Sequence, residues 1–275
     1  MPELPEVETV VRELRPLLVG RRIQKSWAGR LALRKPLRRA WHGRVAGRRV
    51  AGVRRRGKWV VLDLDDGQRL VFHLGMTGQL TATPADAPIA DHTHLIFDLD
   101  GEGGRLRFRD VRRFGSATLF ADDAELEAFF AAAGLGPEPF DLDPVYWRGR
   151  LAGTARNLKA VLLDQRLVAG VGNIYADEAL FEARLHPTRL ASTLDARAAA
   201  RLRRAVETVL KRAIKRRGAS IRDYVGGDGR RGEMQYEFRV YGRTGEPCPR
   251  CGTPIRRVRL AGRSTHFCPQ CQEGV

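Results

Sequence analysis

The chain lacks any apolar run approaching the roughly 18 residues that a helical membrane span requires, so no transmembrane helix is expected. Its first residues carry no charged-then-apolar signal pattern, which leads us to expect a cytoplasmic protein. There is no internal repeat and no low-complexity tail, which removes repeat architectures and disordered arms. Cysteine is absent until Cys248, and all four cysteines then fall within 248–271, a clustering that suits a metal site better than a disulfide framework. Acid is also scarce: 32 Asp and Glu face 49 Lys and Arg, a net charge of +17. An excess of that size points to a polyanionic partner, with nucleic acid first. The arginine preference alone would fit a GC-rich genome, but the deficit of acid would not.

What is present suffices for real cores, since 43% of 275 residues are hydrophobic, enough for two ordinary domains or one large one. Val7, Val10, Val11, Leu14, Leu17 and Leu18 recur at helical spacing and Gly20 follows as a stop, so the chain opens with a short amphipathic helix. From 48 to 120 the pattern alternates, with strands at 60–65, 69–73, 95–99 and 105–108 separated by Gly and Asp, which predicts an antiparallel sandwich or barrel. A helix over 122–133 ends at Gly134, and the Gly-Leu-Gly-Pro-Glu-Pro run at 134–139 marks a domain boundary. Helices follow near 145–151, 158–164, 174–184 and 195–217. The Gly-rich stretch 226–232 has little apolar content, which predicts a mobile loop available to an active site.

Cys248-x-x-Cys251 and Cys268-x-x-Cys271, with sixteen residues between the pairs, have the spacing of two zinc knuckles. Four thiolates close a tetrahedral shell and leave no position for catalysis, so one structural zinc ion is expected. The strands 255–260 and 262–267 between them carry Arg256, Arg257, Arg259 and Arg263. A zinc clip for the chain end would need no such arginines; a DNA finger would. The opening Pro2-Glu3-Leu4-Pro5-Glu6 is ambiguous on local grounds, because proline and acids favour any first helical turn.

Five blocks resolve that ambiguity: MPELPEVET at 1–9, RGK at 56–58, HLGMTG at 73–78, LVAGVGNIYADE at 167–178, and 241–271 with its cysteine pairs and Gly262-Arg263-Ser264-Thr265. In this order they make the chain resemble bacterial formamidopyrimidine-DNA glycosylase from end to end. The resemblance implies an α+β fold: an N-terminal antiparallel β-sandwich with a short helix (1–134), a helix-two-turns-helix domain (135–238) and a zinc-ribbon finger (239–275), with DNA in the cleft between lobes. It implies a monomer in the cytoplasm, working with the nucleoid on damaged double-stranded DNA, with zinc as cofactor and no membrane partner. The implied activity is a glycosylase and abasic-site lyase that removes oxidised purines and cuts by β,δ-elimination. An endonuclease VIII-like enzyme for oxidised pyrimidines, or a DNA-binding relative without catalysis, would keep the same fold.

Residue by residue, the resemblance assigns Pro2, once Met1 is removed, as nucleophile, Glu3 as general acid, Glu6 as a supporting acid, and Lys58 as the lysine that contacts the lesion. Arg263 is the candidate for helping δ-elimination. Met76, Arg112 and Phe114 match the trio that fills the hole left by the extruded nucleotide. In an unrelated protein Met76 and Phe114 would be read as core, and Lys58 as one more surface cation. His92, Lys159 and Asn173 match backbone-contacting positions, and Asn173 also suits a helix start. Two departures stand out. Val111 replaces the proline that most relatives carry in Asp-Pro-Arg-Arg-Phe-Gly, which predicts a looser loop. The 220–235 segment, which in relatives closes over the flipped base, is worded differently here.

Overall fold

The computed structural model describes residues 1–29, 33, 42–101 and 104–272. They fall into two compact units, Met1–Ala132 with Arg216–Glu233, and Ala133–Lys215 with Met234–Val275.

The first unit opens with α1 (Leu4–Leu18), whose Val7, Val10, Val11, Leu14 and Leu18 are all buried, as the helical spacing predicts. Then come β1 (Ile23–Ala28), the single turn α2 (His42–Val45), β2 (Val50–Arg56), β3 (Trp59–Leu64), β4 (Arg69–His73), β5 (Gly78–Pro84), β6 (Thr93–Leu99), β7 (Gly104–Asp110), β8 (Ser116–Phe120) and α3 (Asp123–Ala132). They form two four-stranded sheets, β1-β6-β7-β5 and β2-β3-β4-β8, with every pairing antiparallel. The strand pattern left sandwich and barrel open; two separate sheets make it a sandwich. On β7, Leu106 and Phe108 enter the core while Arg105, Arg107 and Arg109 point away, the period-two signature of a strand. Phe72 lies at the centre, its ring 5.6 Å from Phe108 and 6.2 Å from Phe97. Strand β1 escaped sequence reading because only Ile23 in it is buried, so no alternation is visible.

The segment Arg216–Glu233, which sequence reading assigned to the helical region, belongs to this first unit. It has no sheet or helix of its own, yet it is anchored rather than loose. Tyr224 is buried in the sandwich core, and the Gly227 carbonyl accepts the Ala82 N–H at 2.9 Å on edge strand β5. The segment thus covers a sheet edge that would otherwise present unpaired donors. Glycine is required at 227, where a Cβ would lie 2.7 Å from Leu14 Cγ and 2.9 Å from the Val10 carbonyl oxygen.

The second unit holds α4 (Pro144–Ala152), α5 (Leu158–Leu163), α6 (Asn173–Glu182), α7 (Ala196–Lys215) and a hairpin of β9 (Arg256–Leu260) with β10 (Arg263–Phe267). Asp143 and Asn157 cap α4 and α5, accepting the Tyr146 and Ala160 N–H groups at 2.7 and 2.8 Å. Along α7, Leu202, Val206, Val209, Leu210 and Ala213 form the buried stripe, and the Trp147 indole donates to the Ala199 carbonyl at 2.9 Å. Phe181 of α6 packs with Val240, Cys248, Ile255 and Cys268, so the hairpin region is rooted on that helix. No helix among the described residues is long and apolar enough to cross a membrane.

Truncating the central ring tests the sandwich core. Phe72→Ala should lower the unfolding free energy of the protein by about 3–5 kcal/mol, the usual range for an aromatic cavity; a denaturant titration showing a loss under about 1 kcal/mol would mean Phe72 is not core-determining.

Candidate functional site

At the start of α1, Pro2 is buried, Glu3 is 2% exposed and Glu6 is 1% exposed. Glu3 stands at the N-cap with extended backbone and Glu6 follows three residues on, the spacing of a capping box. One Glu6 oxygen accepts the Glu3 N–H at 2.8 Å, and the other accepts the Ala219 N–H at 2.7 Å. The Tyr224 hydroxyl lies 3.1 Å from both the Glu6 and Arg217 carbonyl oxygens. Burial, reinforced by the negative charge of Glu6, pushes this phenol well above its usual pKa, so it stays a donor. The turn holding the N-terminus is therefore fixed from two directions.

Lys58 sits in the two-residue turn between β2 and β3, beside Gly57 at φ 54°. It is only 7% exposed, unlike an ordinary surface lysine. Arg55 secures this turn to α1: its guanidinium bonds the Glu8 carboxylate at 2.9 Å and the Gly57 carbonyl at 3.1 Å. The same unit also presents Met76, Arg112 and Phe114. Met76 lies in the turn between β4 and β5, and Arg112 and Phe114 lie in loop 111–115 between β7 and β8. All three are exposed, and the Arg112 guanidinium stacks 4.8 Å from the Phe114 ring centre. His92 is exposed too, in the left-handed region at φ 63°, and its carbonyl accepts the Asp110 N–H at 3.0 Å.

The remaining polar residues assigned from sequence lie in the second unit. Asn173 opens α6 and its amide donates to the Ser264 carbonyl at 3.1 Å, which joins the helix start to the hairpin. Lys159 differs from the surface phosphate contact implied for it. It is 0% exposed, and its ammonium donates to the Asn173 carbonyl at 2.8 Å and to Asp177 at 2.6 Å. The other Asp177 oxygen accepts the His266 N–H at 2.9 Å, so the lysine braces helix and hairpin from beneath. Arg263 is exposed beside a tight turn in which Ala261 and Gly262 have φ of 48° and 71°. Both positive values fit a type I′ hairpin, so Ala261 is strained where glycine or asparagine is usual.

The four cysteine sulfurs all lie within 4.8 Å of one another. Cys248 and Cys271 are 3.9 Å apart and Cys251 and Cys268 are 3.5 Å apart. Sulfurs that each sit about 2.3 Å from one tetrahedral ion are separated by distances of this order, so the set fits one zinc. No carboxylate or histidine joins the cluster among the described residues.

Sequence reading missed Thr77, Asp110 and Glu178. Asp110 is 0% exposed and organises the loops that bear Met76 and Phe114. Glu178 is also buried, and accepts the Arg239, Val240 and Tyr241 N–H groups at 2.9–3.1 Å, tying α6 to the chain that leads into the finger. Burial raises its pKa while those donors oppose the rise. An acid closing an alternating strand, as Asp110 does on β7, was the available signal.

Comparison with known proteins covers the whole chain. Residues 1–117 match the formamidopyrimidine-DNA glycosylase N-terminal domain, 135–225 its H2TH domain, and 245–274 a zinc finger found in FPG and IleRS. A formamidopyrimidine-DNA glycosylase of Moorella thermoacetica is 51% identical over 94% of this chain and 95% of its own. Among solved structures, a complex of Lactococcus lactis FPG (MutM) with Fapy-dG-containing DNA superimposes with a TM-score of 0.90 at 38% identity, covering 99% of this chain and 100% of that one. A complex of MutM with DNA containing carbocyclic 8-oxo-G gives 0.91 at 39% identity, with the same coverage.

Two outcomes follow from these placements. Metal analysis should find one zinc per chain, and Cys268→Ser should reduce that stoichiometry and weaken DNA binding together; a metal-free protein that remains folded and DNA-competent would remove the zinc assignment. Lys159→Ala should destabilise the fold by about 3–5 kcal/mol, because it strands the buried Asp177 charge. Loss of DNA binding with an unchanged denaturation midpoint would instead make Lys159 a direct contact.

Proposed function

The chain belongs to the formamidopyrimidine-DNA glycosylase family, and on that premise we propose how its own residues divide the work of excision. The protein is a DNA glycosylase of base excision repair that removes oxidised purines, 8-oxoguanine and formamidopyrimidines, from double-stranded DNA, and it carries the lyase activity typical of the family. The observation that carries the residue-level reading is the sequence Pro2-Glu3 at a helix start whose geometry Glu6 clamps.

Removal of Met1 converts the Pro2 nitrogen from a planar amide into a secondary amine. With an α-amino pKa near roughly 8, a useful fraction is unprotonated at neutral pH. Its lone pair attacks C1′ of the damaged nucleotide and the bond from C1′ to the base breaks. Glu3 protonates the ring oxygen, the sugar opens, and the nitrogen becomes an iminium. The iminium acidifies the C2′ proton; its loss expels the 3′ phosphate, and a second elimination expels the 5′ phosphate to leave a one-nucleotide gap. Glu6 supports this site by fixing the Glu3 backbone. The low exposure of Lys58 supports a cation held for the lesion and the departing phosphate rather than for bulk solvent.

The damaged nucleotide must first leave the stack, which costs a few kcal/mol. Met76, Arg112 and Phe114 offset that cost by occupying the hole, Arg112 facing the orphaned base and Phe114 intercalating. His92, Asn173 and the Arg263 hairpin hold the backbone, with Arg263 also assisting the second elimination. Lys159 contributes from behind Asn173. Zinc keeps the hairpin in shape and takes no part in bond making. The protein works as a monomer in the bacterial cytoplasm, on the nucleoid.

Borohydride added during reaction should trap a covalent protein–DNA adduct mapping to Pro2, whereas protein retaining Met1 should bind DNA and fail to cut it. Glu3→Gln should keep the amine but slow base release from an intact lesion. An adduct at Lys58, or equal cutting by the Met1-retaining form, would displace Pro2 as the nucleophile.

A further inference from the structure

Filling the hole requires side chains from two separate loops to act at once, Met76 from one and Arg112 with Phe114 from the other. One hydroxyl joins the two. Thr77 Oγ1 donates to Asp110 Oδ1 at 2.5 Å and accepts the Arg112 backbone N–H at 3.0 Å. The second Asp110 oxygen accepts the Gly115 N–H at 2.7 Å, so a single buried carboxylate serves both ends of loop 111–115. Asp110 is itself held at the end of β7 by the His92 carbonyl and by His94 Nε2, 2.9 Å from the Asp110 carbonyl. The loops also touch through their backbones, since a Cβ on Gly75, at φ 62°, would lie 2.5 Å from Gly115 N. Residue 111 is an exposed valine with a free φ, so it does not stiffen the loop.

We infer that Thr77 is a positioning residue for base extrusion: its hydroxyl locks the Met76 turn to the Arg112 loop, so the three wedge side chains enter DNA as one preformed unit. This rests on the repair reading above. If the loops moved independently, each would have to be ordered during extrusion, and that entropy would be subtracted from the energy with which the wedge opposes restacking. An abasic site has no base to extrude and asks less of the wedge. The clasp should therefore matter more for an intact lesion than for a site already stripped of its base.

The test uses the zinc-loaded, full-length protein under single-turnover conditions, on duplexes carrying 8-oxoguanine opposite cytosine or a preformed abasic site. Thr77→Val, which keeps the shape and removes the hydroxyl, should lower the ratio of lesion incision to abasic incision by about tenfold, the scale of a broken buried hydrogen bond. Thr77→Ser should restore the ratio to within about twofold. In an Arg112→Ala background, Thr77→Val should lower the ratio by less than it does in the wild type, because one of the three side chains it positions is gone. Equal losses on both substrates, no rescue by serine, or an undiminished effect without Arg112 would each overturn the inference. Thr77→Ala serves the same comparison if the valine chain does not fold. Amide hydrogen exchange of the free protein reads the clasp without any activity: exchange over 110–116 should accelerate in Thr77→Val and not in Thr77→Ser. Unchanged exchange overturns the clasp, whereas a wild-type chain with a protected loop and no incision of 8-oxoguanine counts against the repair reading alone.

Discussion

The carboxylate of Glu6 is the contact on which the chemistry of the first unit depends. A buried acid is expensive to desolvate, and this one persists because two backbone N–H groups, from Glu3 and Ala219, satisfy its oxygens. One bond fixes the first turn of α1 and hence the direction in which Pro2 and Glu3 emerge. The other fixes the segment Arg216–Glu233 against that turn. Gly218, at φ 74°, makes the approach possible, since a Cβ there would lie 2.8 Å from Glu6 Oε1. Farther along α1, Arg217 bridges Glu13 and Asp228 at 2.7 and 2.8 Å. Burial raises the Glu13 pKa, while Arg217 pulls the other way. The glycine-rich stretch is thus stapled to the helix that Pro2 and Glu3 lead into.

The two units solve one problem by different means. In the first, the exposed Met76, Arg112 and Phe114 stand on loops tied together through buried Asp110 and Thr77. In the second, the buried pair of Lys159 and Asp177 joins α6 to the hairpin, and arginines 256, 257, 259 and 263 stay exposed, as contacts to a polyanion must be. Such arginines gain their affinity from counterion release, so binding through them weakens as salt rises. Many other cations in the chain are spent internally: Arg54 and Arg69 converge on Asp63 and Asp123, and Arg239 and Arg250 on Glu182. Net charge identifies the class of partner, and exposure identifies the residues that meet it.

Periodicity and spacing made much of this legible. The buried stripe of α7, the strands β3, β4, β6 and β7, and the two cysteine pairs could all be read directly, because each rests on local sequence pattern. What escaped depends on partners distant in sequence. Lys159 looks like any basic residue near a helix start until α6 is folded over it. Asp110 reads as a strand-ending acid until Thr77, 33 residues away, is brought beside it. The 226–232 stretch has the composition of a loose loop, and only the fit of glycine against Leu14 and Val10 shows why that composition is needed there. Val111 predicts slackness that the Asp110 bonds to its neighbours counter.

The return of Arg216–Glu233 to the first unit also bears on how the chain is made. Glu6 and Ala219 are 213 residues apart, and at roughly 5–20 residues per second a ribosome needs on the order of 10–40 s to deliver the second after the first. Throughout that interval the nascent sandwich has an uncovered β5 edge and an empty place for Tyr224, while the start of α1 lacks its second anchor. The Pro2 amine proposed as nucleophile can be exposed by removal of Met1 long before the turn that Ala219 anchors is complete, so that turn is finished only late, near full length, in the life of each molecule.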